Sequence, residues 1–109
     1  MTGSRGWTDQ AAVHERLLRF PPGTVIVHGK ARGADLFADL EARVLGFTVE
    51  PFPADWEKHG SRAGIIRNLA MLDTNPDLVL AFWDGQSPGT QHCFREAEKR
   101  GIPVEIIRG

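Results

Sequence analysis

The run Val25-Ile26-Val27-His28-Gly29-Lys30-Ala31-Arg32-Gly33-Ala34-Asp35 restricts the fold more than any other stretch of this chain. A short β-branched segment gives way to a loop with two glycines and two cations, then to a helix start. With almost no polar alternation, Val25 to Val27 reads as a strand buried on both faces of a parallel sheet. The helix that follows places Leu36, Phe37, Leu40, Val44 and Leu45 on one stripe, expected to face the core, and is closed by Gly46. Gly29 and Gly33 permit turn geometry closed to residues with a Cβ and let the backbone approach a ligand. Amides at a helix start lack intrahelical partners and carry positive partial charge, so the junction suits an anion. Lys30 and Arg32 strengthen that preference.

The rest of the chain repeats the alternation of strand and helix. Thr8 or Asp9 caps a helix running to about Phe20, with Val13, Leu17 and Phe20 toward the core, and Pro21-Pro22-Gly23 ends it. Phe47 to Glu50 reads as an edge strand stopped by Pro51 and Pro53. Phe52 to Ala63 shows no regular pattern and is long for an α/β connection, a length often associated with function. Ser61 can cap the next helix, whose Ile65, Ile66, Leu69 and Leu72 are expected inward. Leu78 to Phe82 is a buried strand, Trp83 to Thr90 a second glycine loop, and the helix after it buries Phe94 and Ala97. Pro103 to Ile107 is the last strand. This order predicts an α/β fold: one domain over residues 1–109, a mostly parallel sheet and helices on both faces. Ligands of such sheets sit outside the carboxyl ends of the strands, where the glycine loops at 3–6, 29–33 and 85–89 should meet, with Trp56 and Arg62 nearby.

Composition limits the possible partners. The 109 residues carry a formal charge of -1, which argues against nucleic acid gripped through a broad basic surface. The single cysteine excludes an intrachain disulfide and a cysteine-based zinc cluster, and fits a reducing compartment. No apolar run approaches the ~20 residues that span a bilayer, and no signal-peptide pattern opens the chain. A cytoplasmic location without membrane association is therefore expected. The spacing matches neither the dinucleotide fingerprint nor a P-loop, and no G-x-S-x-G elbow is present. His14, His28, His59 and His92 lack metal-ligand spacing, so no metal is expected. Cys93 reads as a small core residue.

Several motifs occur in order: Gly3-Ser4-Arg5-x-Trp7, His28-Gly-x-Ala-Arg32-Gly-Ala-Asp35, Pro53-Ala-Asp55-Trp56, Ile66-Arg67-Asn68-x-x-Met71 and Gly89-Thr90-x-His92. Together they resemble the YspA-like branch of the SLOG superfamily, small Rossmann-like domains related to YpsA, DprA and the LOG phosphoribohydrolases. The resemblance implies a Rossmann-like three-layer sandwich that binds a nucleotide or nucleotide-derived phosphorylated ligand, with no further cofactor required. Arg67 lies in a segment similar to the LOG Arg-Lys motif, and Gly89-Thr90 matches their Gly-Thr. The LOG Gly-Gly is replaced by Ser87-Pro88, and their glutamate position falls on Cys93. A neutral thiol cannot stabilise an oxocarbenium-like sugar as a carboxylate can. Relatives also carry an apolar strand ahead of Gly-Ser-Arg. Here only Met1-Thr2 remain, so either the true start lies upstream or the first strand is truncated, with a gap that favours pairing with another chain, possible as a homodimer.

These expectations assign the phosphate to the amides of Gly29–Gly33 and Gly89–Thr90, with Arg5 and Arg32 as charge partners. The base or ribose packs near Trp7 or Trp56. Asp35 and Asp84 accept from ribose hydroxyls or from their own loops, and Trp56 alternatively covers the core. Arg67 and Asn68 face the crevice, and Gly3, Ser4 and Ala31 complete the ligand-binding set. By position alone, Met1 to Trp7 also reads as a flexible terminus. Three functions remain open: a sensor or binding module, a hydrolase with Arg67, Asp84, His92 or Asp35 as candidate catalytic residues, and a DprA-like DNA-processing accessory protein.

Overall fold

Strand and helix alternate along the computed structural model, which describes residues 1–109. In chain order the elements are β1 (Thr2–Gly3), α1 (Gln10–Leu17), β2 (Val25–His28), α2 (Ala34–Val44), β3 (Thr48–Pro51), α3 (Trp56–His59), α4 (Ala63–Leu72), β4 (Val79–Trp83), α5 (Pro88–Lys99) and β5 (Val104–Arg108). All strand pairing is parallel: β4 lies between β1 and β5, and β2 pairs with β3. Helices α1 and α2 pack on each other, as do α4 and α5, and the strands lie between these pairs. The fold is α/β and Rossmann-like.

Local chemistry sets the element boundaries. Asp9 caps α1, its carboxylate accepting the Ala12 amide at 3.0 Å, and Val13 and Leu17 are buried beneath it. Phe20 lies beyond the helix end but still packs against the core. The segment expected to be irregular is ordered: Asp55 accepts the Lys58 amide at 3.1 Å to start α3, and a 3₁₀ turn at Gly60–Arg62 leads into α4. Asx capping of a single helical turn needs no apolar periodicity, so the pattern there is silent.

Three packing expectations are corrected. The stripe Leu36, Leu40 and Val44 faces outward, with Val44 80% exposed, whereas Ala34, Ala38 and Ala42 face the core. Both rows have i, i+4, i+8 spacing, and the small residues win because they let α2 lie close against β1 and β2. Phe37 and Leu45 flank this contact and are partly buried. Ile65 is exposed and Ile66 and Leu69 are half-buried, whereas Leu72 is buried as expected, together with Ala63, Asn68 and Met71. Val25 is also exposed, because β1 is too short to cover it.

That shortness divides the sheet. Thr2 and Gly3 pair only with Ala81 and Phe82, and the Met1 amino group donates to the Val27 carbonyl at 2.9 Å. Beyond it, a slot of about 500 Å³ separates Val25–Val27 from Leu78 and Leu80. At the opposite end the strands are drawn together by Phe82, Trp7 and the α2 alanines, which belong to the main core. No helix is long and apolar enough to cross a membrane.

Candidate functional site

The loops leaving β1, β2 and β4 meet at one rim. They enclose a cavity of about 440 Å³ whose lining includes Gly3, Arg5, Ala31, Asp35, Trp56, Arg67, Asn68, Gly89 and Thr90. The expected convergence at the carboxyl ends of parallel strands is therefore present.

The β2–α2 loop is held from inside. Side chains on a helix tilt toward its N-terminus, so Asp35, in the first turn of α2, reaches back over its own loop. Its Oδ2 accepts the amides of Gly29 at 3.0 Å and Ala31 at 3.3 Å. The Lys30 amide donates to His28 Nδ1 at 2.9 Å. An imidazole nitrogen that accepts carries no proton, so Nε2–H donates to Asp39 Oδ2, 2.7 Å away. Three amides expected to hold a phosphate are thus already bonded within the chain, which corrects that assignment for Gly29, Lys30 and Ala31. Gly33 has φ +76, and a Cβ there would lie 2.5 Å from the Ser4 and Arg5 carbonyl oxygens. Its role is close approach between two loops.

Asp35 is 4% exposed, and its Oδ1 is buried without a partner. Burial pushes its pKa up, against the opposing pull of the terminal ammonium, the Ala31 amide and Arg67.

Arg67, on α4, links the loops. Its Nη1 donates to the Gly29 carbonyl at 2.5 Å and its Nε to Asn68 Oδ1 at 3.0 Å. The guanidinium packs so closely on Gly29 that any side chain there would collide with it. Asn68 Nδ2 donates in turn to the Gly89 carbonyl at 3.2 Å. Burial lowers the Arg67 pKa, and Asp35 counteracts this. Held at two nitrogens, the guanidinium is oriented before any ligand arrives, and Nη2 has no protein partner.

The start of α5 is open. Ser87 occupies the cap position but makes no capping bond; its hydroxyl donates to Asp84 Oδ2 at 3.0 Å. Pro88 supplies no amide, and Gly89 and Thr90 in the first turn have no intrahelical acceptor. Asp84 Oδ1 accepts the amides of Gln86 and Ser87, each at 2.8 Å. The Ser87 bond is the largest influence holding its carboxyl below the usual range. Asp84 builds its own loop and does not line the cavity.

Other residues are placed differently from expectation. Trp7 is 6% exposed and stacks edge-on against Phe82, with ring centroids 5.4 Å apart. It is core, because the loop after β1 folds the indole over β4 rather than over the rim. Ser4 is buried, and its hydroxyl accepts the Asp84 amide at 3.1 Å. Arg32 is exposed and, like His92, outside the cavity lining. His92 Nδ1 is buried without a partner. Cys93 is buried, and burial raises its thiol pKa. Trp56 is half exposed at the cavity mouth, beneath the guanidinium of Arg5.

Ser61, Gly64, Ile65 and Met71 also line the cavity and were not expected there. Gly64 gives the one legible signal, since a glycine inside a helical pattern usually serves close packing. A Cβ there would sit 3.7 Å from the Trp56 indole.

The family model described as YspA, cpYpsA-related SLOG family matches residues 1–59, covering the β1, β2 and α3 sides of the cavity. The gene 61 protein of Mycobacterium phage D29 is 50% identical over 113 aligned residues, spanning 95% of this chain and 90% of that protein. No solved structure matches the chain significantly. The chain belongs to the YspA, cpYpsA-related SLOG family.

Proposed function

We propose that the rim cavity binds a nucleotide-derived phosphorylated ligand, with its phosphate at the start of α5. One observation carries this reading: the uncapped first turn of a twelve-residue helix opens into the same cavity as the braced guanidinium of Arg67. First-turn amides and a fixed cation form a receptor for a phosphoryl group. Arg5 adds a second cation at the mouth. The β2–α2 loop shapes the floor rather than donating its amides.

A Gly89→Asp variant tests the reading. A Cβ at Gly89 meets nothing within 4 Å, so the substitution introduces a carboxylate without a clash. A carboxylate in the first turn stabilises the helix by roughly 0.3–1 kcal/mol while competing with a bound phosphate. The variant should melt at or above the wild-type temperature and lose the thermal shift that adenosine monophosphate gives the wild type. A retained shift would place the phosphate elsewhere.

A second reading, hydrolysis of the same ligand, is favoured by Asp35, the one carboxylate lining the cavity. Its burial-raised pKa suits a general acid. Free base in a chromatogram after incubation with the monophosphate separates turnover from binding.

A further inference from the structure

We infer that Arg5 and Trp56 are the base-recognising pair of this site, and that a planar ring of the ligand enters between the indole and the guanidinium. The inference rests on the phosphate reading above and supplies the chemical class of the ligand's other end, an aromatic base.

Trp56 lies on α3, none of whose residues is buried. Its indole is 50% exposed, although an indole seldom gains from being left in water. The edge of the ring faces Gly64 of α4, where an added Cβ would lie 3.7 Å from it, and both residues line the cavity. Neither other tryptophan competes for the role: Trp7 is in the core, and Trp83 packs on Phe94 and Arg108.

The Arg5 guanidinium carbon stands 5.8 Å from the Trp56 ring centroid, near the ~6 Å outer limit of a cation–π contact. The pair is thus already spread, and Arg5 is an exposed side chain free to move outward. Arg5, Trp56 and Arg67 also border a recess of about 130 Å³ that adds Pro53 and Ala54. The pair therefore stands between the phosphate end of the cavity and a small recess that Gly29, Lys30 and Ala31 also border. Bases stack on aromatic rings and on guanidinium planes alike, without regard to the pattern on their edges. Recognition of this kind distinguishes a nucleotide from a sugar phosphate but discriminates little among bases.

Calorimetric titration with adenosine monophosphate and with ribose 5-phosphate tests the inference. One stacked base is worth roughly 5- to 150-fold in affinity. The wild type should bind the nucleotide at least about fivefold more tightly than the sugar phosphate. Trp56→Ala should bring the two together by weakening only the nucleotide, and Trp56→Phe should restore part of the difference. Arg5→Lys, which keeps the charge and loses the plane, should also weaken the nucleotide selectively. Tryptophan fluorescence should change on adding the nucleotide to the wild type, and not in Trp56→Ala. Equal wild-type affinities, or a Trp56→Ala loss shared by both ligands, would overturn the inference and leave the phosphate reading standing. Binding of neither ligand would overturn both.

Discussion

Asp35 combines a positioning role with an electrostatic cost. One oxygen fixes Gly29 and Ala31, while the other lies buried without a donor. Because burial raises its pKa, between the unfolded and the folded value the folded state holds a proton that the unfolded chain has released. The group's contribution to stability is therefore greatest below the ordinary carboxyl range of about 3.9 and is lost as pH rises through the folded value. Asn at this position can still accept from both amides and cannot ionise. Urea unfolding at a series of pH values should show Asp35→Asn gaining stability relative to wild type from the acid range toward neutrality. Parallel curves would mean that the carboxyl titrates alike in both states. Asp39, Glu41 and Glu105, held low chiefly by Arg43, His14 and Arg16 respectively, act in the opposite direction in both proteins and cancel in the difference. At this scale the sequence was only partly legible. Arg67 and Asn68 are identifiable as polar residues on an apolar helix, and of the two readings open for Asp35, ribose or its own loop, the structure shows the loop amides. Trp7 beside glycines and an arginine has the composition of a stacking site, and only Phe82 across the chain makes it core.

At the scale of elements, α2 shows where pattern reading fails. Residues 34, 38 and 42 and residues 36, 40 and 44 form rows of identical period, and hydrophobicity favours the second. Interaxial closeness favours the first, and closeness prevails wherever a helix must lie tight against short strands. Ala38→Leu should accordingly cost about 1–3 kcal/mol through overpacking. Leu40→Ser should change stability by less than about 0.5 kcal/mol. Chemical denaturation measures both, and the reverse ranking would show that the larger stripe is the buried one. The α3 turn was hidden for another reason, since a single capped turn has no period to detect. The strands and the Asp9 cap of α1 followed from local chemistry and could be read directly.

At the scale of the whole molecule, parallel strands bring distant glycine bends to one rim, and this was visible from the alternation of elements alone. The division of the sheet was visible only in part. A short first strand could be anticipated from the residues before Gly-Ser-Arg, but the slot between β2 and β4 depends on how the two halves settle around Trp7 and Phe82. The molecule thus has two large concavities of different character. One is rimmed by cations and helix-start amides, the other by Val25–Val27 and Leu78. The phosphate reading requires the first to be the binding site. Amide chemical shifts of isotope-labelled protein titrated with adenosine monophosphate give the most direct check. The largest changes should fall on Gly89 and Thr90, with the Arg67 side-chain Nε following at the same half-saturation. Movement confined to Val25–Val27 and Leu78–Leu80, or unshifted Gly89 and Thr90 at saturation, would contradict the account.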